Sequence, residues 1–408
     1  MPRERNYSEA QGGRSYHPDK RSIRHSTDPT HSLFYPLEYS ASGASIPSRI
    51  HTLVFGFYLV RNLVPVFVKP IGMPSKDLQF VHFPDTLRNW PWPRHLNPHF
   101  AVCKEESEAW LETFGAFSPK AQKAFNLCDF NLLASLVYSD LSKDGCRVGC
   151  DLMNLFFLID EHFDLVDTHG ARSRADIVMD ALRNPQIPRR DGEWVGGEVT
   201  RQFWLNAMHI STPTFQRRFI DEFQIYLDSM VRKAQDRTED HNRSIDEYFE
   251  VRRVTIGVKA AVIVNEIEMN IPEAVMQNEH IATLIAAATD MILIANDVYS
   301  YNVEQARGDD RHNLVAIVMR TENLNLVDTL DWISSLHDNL VEKFLDAFHQ
   351  VPHYNDPELN RQVAEFADGL GNWVRGYDAW SFESERYFGK RGREVQATRV
   401  VQLLPKVL

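Results

Sequence analysis

An all-α fold is predicted for this 408-residue chain from three features: apolar runs at helical spacing, repeated helix-start signals, and no Asn-Gly hairpin turns or alternating strand patterns. Ser118-Pro119 and Thr212-Pro213 each place an N-cap residue before a proline at the first helical position. After the second, Phe215, Phe219, Phe223, Leu227 and Met230 recur on one helical face. Ser244 and Glu247 have capping-box spacing ahead of FEVRRV. With 43% hydrophobic residues the chain can bury a large core. One compact helical domain is expected over residues 76–408.

Residues 1–75 read differently. The first 48 are rich in Arg, Ser, His and Pro without periodicity, and disorder is expected there. The apolar segment at 50–69 is a poor membrane span because Arg61, Asn62 and Pro65 interrupt it. It also lies too far from Met1 for a secretory signal. The leading expectation is an upstream start or exon wrongly joined to a protein that begins near Met73. A weak membrane-associating segment ranks second, and membrane association is not expected.

A formal charge of -12 and a pI near 5.7 argue against a nucleic-acid partner. Cys103, Cys128, Cys146 and Cys150 include no CxxC pair, so zinc is unsupported. Free buried thiols in a reducing compartment, the cytoplasm, are expected.

The chemistry concentrates at the ends of two apolar runs. IATLIAAATDMILIA leads into NDVYSYNVE, where Asn296, Ser300 and Glu304 stand four apart. Residues at i, i+4 and i+8 share a helix face, so an amide oxygen, a hydroxyl and a carboxylate converge as ligands for a hard cation such as Mg2+. Such a stripe is more often a solvated face, but the preceding helix is apolar on nearly every side. The second run, Leu152 to Ile159, ends in Asp160, Glu161 and Asp164. Asp160 continues the apolar face, where an ionised carboxylate needs a neutralising partner. Glu161 and Asp164 are also consistent with a helix reaching the surface. Two such ends could clamp metal ions, and a metal cluster in an acidic protein would attract a phosphate or diphosphate.

The DEHFD motif and the NDxxSxxxE triad resemble the paired metal motifs of class I terpene synthases. CDLMNLFFLIDEHFD, HNLV and WSFESERYFG resemble in particular the sesquiterpene synthases of basidiomycete fungi, and the likeness runs from near Phe83 to the C-terminus. It implies a class I terpenoid synthase helical bundle around a central cavity. It also implies Mg2+, three ions, held by Asp160, Asn296, Ser300 and Glu304. Farnesyl diphosphate is the implied substrate, and the implied product is a protoilludene-type hydrocarbon formed through a humulyl cation. Arg386 and Tyr387 take the family's diphosphate-contacting role. Arg253, four positions before Gly257, takes that of the diphosphate-sensing arginine, with Arg252 the competing candidate. Arg307, in the loop after the triad, is a further candidate contact. Phe156, Phe157, Trp373 and Trp380 are candidates for the cavity wall, although aromatics at helical spacing are as often core.

Two other readings compete. A prenyl chain-elongating synthase would carry a second aspartate-rich motif where this chain has the Asn/Ser/Glu triad. A non-catalytic, membrane-associated diphosphate-binding protein would use residues 50–69 as an anchor, and the intact site residues argue against it.

Overall fold

The computed structural model describes residues 79–236 and 242–406. The expectations for residues 1–75, including the segment at 50–69, lie outside the described residues. From Phe100 the chain is helical: α1 Phe100–Glu112, α2 Pro119–Leu127, α3 Phe130–Val137, α4 Lys143–Phe163, α5 Thr168–Arg183, α6 Gly196–Ile210 and α7 Pro213–Asp236. Then come α8 Ile245–Thr255, α9 Val258–Val262, a 3-10 turn at Ile263–Glu266 and α10 Glu273–Met276. The last five are α11 Glu279–Arg307, α12 Leu314–Thr321, α13 Leu326–His349, α14 Pro357–Glu383 and α15 Gly392–Thr398.

The start signals work as the sequence predicts. Ser118 accepts a bond from the Ala121 amide, Thr212 Oγ1 accepts one from the Phe215 amide at 3.2 Å, and both halves of the Ser244–Glu247 capping box form. Phe215, Phe219, Phe223, Leu227 and Met230 are all buried. The four cysteines are free and buried.

Among the described residues the sheet is small. Phe80–His82 (β1) pairs antiparallel with Val400–Gln402 (β2), joining the start of the helical domain to its end. Strands of three residues are too short to leave an alternating pattern.

α11 packs along α13 and α14; α3 lies between α4 and α14; α4 also contacts α1 and α6. α11 is long and apolar enough to cross a membrane, but two-thirds of its most apolar window is buried within the protein. This is the pattern of a core helix, one that is apolar on every side because neighbours surround it.

One interruption matters for the site. Gly257 separates α8 from α9 with φ +72°. A Cβ there would lie 3.1 Å from both Phe156 Cε1 and Tyr226 Cε2. The left-handed backbone therefore favours glycine, and the two close rings add to the crowding that any side chain would meet. Beyond the break, Arg218 on α7 forms a buried ion pair with Glu266 that holds the 3-10 turn in place. Gly257→Ala is expected to lower the unfolding free energy by about 1–2 kcal/mol, read as a shifted denaturant midpoint by circular dichroism.

Candidate active site

The polar end of α11 forms one rim of the site. Asn296, Ser300 and Glu304 are partly exposed, as are Ala295, Asn302 and Val303, whereas Asp297, Val298, Tyr299 and Tyr301 are buried. Asn296 Nδ2 donates to the hydroxyls of Tyr377 and Tyr387, both at 2.9 Å, and its Oδ1 accepts from Arg252 Nη2 at 2.7 Å. Asn313 Nδ2 reaches Glu304 Oε2 at 2.9 Å and Ser300 Oγ at 3.4 Å, which places these two oxygens around one donor. Burial pushes the Glu304 carboxyl above its ordinary range, and the charge of Asp297 adds to this. A bound cation would relieve that cost.

The end of α4 forms the second rim. Phe157, Asp160 and Asp164 share its half-open face, while Glu161 and His162 turn inward. Lys233 on α7 sets its ammonium 3.2 Å from Asp160 Oδ1 and 3.4 Å from Asp164 Oδ1. Burial would raise the Asp160 carboxyl, but Lys233, then Arg386 and Arg252, outweigh it and hold Asp160 below its usual value. Burial likewise opposes the Lys233 ammonium, yet the two aspartates keep it raised. Glu161 has the opposite fate. Its carboxyl is pushed up to about 8, mainly by burial, and its Oε1 has no hydrogen-bond partner. His162 accepts from Trp194 Nε1 at 2.8 Å, and burial lowers its imidazole to about 4. At neutral pH Glu161 is thus largely protonated and His162 uncharged, so both serve the wall and Asp160 and Asp164 face the opening.

Basic side chains stand between the rims. Arg386 lies 5.7 Å from the Phe157 ring and 5.9 Å from the Tyr387 ring, and its charge acts on both Asp160 and Glu161. Arg253, expected as the diphosphate-sensing arginine, is held here by an acidic partner. Its guanidinium grips Asp290 with two bonds of 2.7 and 2.8 Å and leans over Phe249, away from the triad. Arg252 instead reaches Asn296 and, at 3.2 Å, Asp297. Consecutive helix positions point about 100° apart, so the two adjacent arginines leave α8 in different directions and meet different partners here. Arg307 sits in the last turn of α11, past Glu304. The following loop is fastened by Arg243 to His312 at 3.1 Å and by Arg311 to Asn242 at 3.2 Å.

Aromatic rings form the wall beside Arg386. Phe157 stacks on Phe130 with centroids 3.6 Å apart, Trp380 lies 5.7 Å from Tyr387, and Phe156 packs on Tyr226 at 5.0 Å. Trp373, one turn before Tyr377 on α14, is buried with its indole N–H unpartnered. Phe382 and Phe388 stack on each other in a separate cluster with Phe83 and Tyr299. A cleft of about 570 Å³ lined by Arg172, Asp176 and Arg189 lies on another face and includes none of these residues. Two of its arginines are already paired, Arg172 with Asp228 and Arg189 with Asp180.

Residues 151–343 match the family described as terpene synthase family 2, C-terminal metal binding. A Delta(6)-protoilludene synthase of Stereum hirsutum is 51% identical over 332 residues, covering 81% of this chain and 90% of that protein. One from Armillaria gallica is 49% identical over 330 residues, covering 81% and 95%. The chain belongs to the terpene synthase family. The fold agrees. An α-eudesmol synthase structure superposes with a TM-score of 0.65 at 20% identity, over 72% of this chain and 98% of that one. Germacradien-4-ol synthase from Streptomyces citricolor gives 0.62 at 21%, over 71% and 98%. The family's metal-binding region spans both rims, so a divalent metal belongs to this protein's chemistry.

The donors fit such an ion. Hard oxygens of three chemical types line one rim and carboxylates the other. Among the described residues no three His, Cys, Asp or Glu side chains gather at one point.

Sequence reasoning did not single out several residues that build this geometry. Asp297, inside NDVYS, accepts from Tyr248 Oη at 2.6 Å, the Leu314 amide at 2.7 Å and Arg252. Asn313, in HNLV, ties Ser300 to Glu304 and caps α12. Tyr377 could have been found, because it shares the α14 face of Trp373 and Trp380 by helical spacing. Nothing local marks Lys233, whose partners are on α4. Asp297→Ala is expected to lower the unfolding free energy by about 3 kcal/mol, because it strands Arg252 and two donors in the interior. Urea denaturation of the metal-free protein measures it.

Proposed function

We propose that this terpene synthase is a Mg2+-dependent sesquiterpene synthase that ionises and cyclises farnesyl diphosphate, releasing diphosphate and a protoilludene-type hydrocarbon formed through a humulyl cation. One observation carries the reading. Two half-open oxygen rims, Asp160 with Asp164 and Asn296 with Ser300 and Glu304, flank Arg252 and Arg386 at the mouth of an aromatic wall. The curated relatives named as Delta(6)-protoilludene synthases support the product class.

Asp160, Asn296, Ser300 and Glu304 would hold the metal, three ions in the family pattern. When bound, the metal would supply positive charge against the departing diphosphate. Arg386 and Arg252 add fixed guanidinium charge, and Tyr387 adds a phenol donor, so charge developing on the leaving group meets preorganised partners. Phe157, Trp380 and Tyr387 present ring faces beside the site, where a migrating allylic cation is stabilised by cation–π attraction. No side chain is required as a nucleophile. Chain elongation is disfavoured because the second rim is an Asn/Ser/Glu stripe and not a second aspartate cluster. We place the protein in the cytoplasm, as four free buried thiols suit a reducing compartment, and assign it no membrane or nucleic-acid partner.

The direct test is incubation of the purified full-length chain with farnesyl diphosphate, with and without Mg2+, followed by gas chromatography–mass spectrometry. A Mg2+-dependent sesquiterpene hydrocarbon is expected. Turnover confined to geranyl or geranylgeranyl diphosphate would overturn the substrate, and a longer prenyl diphosphate would favour the elongating reading. Asn296→Ala and Glu304→Ala should each abolish turnover with the helical circular dichroism spectrum retained. Arg252→Met and Arg386→Met should each cost at least about a hundredfold in kcat, the scale of losing one charge-stabilising donor. Arg253→Met should cost far less, and an equal loss would restore Arg253 to the site.

A further inference from the structure

Lys233 is a cation at the aspartate rim that comes from neither the Arg252 nor the Arg386 segment. It reaches in from the last turn of α7 and bridges Asp160 and Asp164, the two carboxylates on the open face of α4. The three side chains are 39%, 30% and 28% exposed, so the bridge stands at the opening of the site and not inside the core. An ammonium held within 3.4 Å of both carboxylates lies where a cation bound by this pair would also be drawn. Two like charges cannot share that position without repulsion. On the other rim Arg252 similarly covers Asn296 Oδ1, which shows a second candidate ligand oxygen masked by a basic side chain.

We infer that Lys233 is a built-in placeholder cation: it neutralises and orients Asp160 and Asp164 while the rim is empty of metal, and it is displaced from them when a divalent ion binds. The inference rests on the reading of Asp160 as a metal ligand. It has two consequences that an ordinary surface ion pair does not. Lys233 weakens metal binding by the protein alone, because the ion must first break the bridge. It also supports the metal-free state, because without it two carboxylates one helical turn apart repel each other. Once displaced, the long flexible ammonium remains beside the opening as a point charge for an anionic ligand.

The test is Mn2+ binding to the full-length protein without diphosphate, followed by the electron paramagnetic resonance signal of free Mn2+, together with melting temperatures with and without the ion. Lys233→Gln should bind Mn2+ about threefold to fivefold more tightly than the parent, the range set by losing one partly exposed competing charge. Its metal-free melting temperature should fall and its metal-induced rise should be larger. Lys233→Arg keeps the charge and should stay near the parent on both readouts, which guards against a fold defect in the glutamine variant. Unchanged or weaker Mn2+ binding in Lys233→Gln, with only a lower melting temperature, would reduce the bridge to a structural pair and overturn the inference. Asp160→Asn separates the underlying reading. Intact Mn2+ binding and turnover in that variant would remove Asp160 from the metal site. Lost binding there with no change in Lys233→Gln would sink the placeholder alone.

Discussion

The buried carboxylate of Asp297 ties the architecture of the site together. It sits inside the helix that carries the polar stripe and takes bonds from a tyrosine on α8, the first amide of α12 and Arg252. Two elements, α8 through both Tyr248 and Arg252 and α12 through its first amide, are thereby fixed to α11 at the level where Asn296 and Ser300 emerge. A single anion surrounded by donors in a region of low polarity is held more strongly than the same bonds would be in water. The direction of Arg252, and with it the positive side of the site, follows from this anchor.

The same economy of charge appears across the cavity. Acidic groups about the two rims meet basic partners: Lys233 meets Asp160 and Asp164, Arg252 meets Asp297, and Arg386 acts on Asp160 from the aromatic side. Glu161 lacks such a partner at one oxygen, and its carboxyl accordingly rises to about 8. Adjacent carboxylates in DEHFD therefore have different states because a helix turns one outward and the next inward. Metal, arginine and lysine all act on one electrostatic problem, the placement of an anionic leaving group in a strongly acidic protein.

The break at Gly257 sets the geometry on the third side. α8 carries Arg252 and stops where Phe156 and Tyr226 close in, and glycine favours the left-handed turn there and adds no side chain to the crowding. The buried Arg218–Glu266 pair then fixes the chain beyond the break. Such a pair contributes little net stability against well-packed apolar residues, but leaving either member alone would be costly, so it defines one position for the segment.

Much of this was legible in the sequence because helical periodicity is local. The stripe of Asn296, Ser300 and Glu304, the face of Asp160 and Asp164, the N-caps at Ser118, Thr212 and Ser244, and the glycine break all depend on neighbours within one or two turns. Motif order also carried the family. What only the tertiary structure decided depends on residues far apart in the chain. The different partners of Arg252 and Arg253, Asn296 and Asp297 for the one and Asp290 for the other, lie some 40 residues away. Lys233 acquired its partners from α4, 73 residues earlier in the case of Asp160. A helix's own pattern shows which side chains share a face, but which face meets the cavity is set by packing against other helices. The sequence by itself determined the polar stripe, the aspartate face and the helical bundle, and the packing of α4, α7, α8, α11 and α14 decided which charges meet.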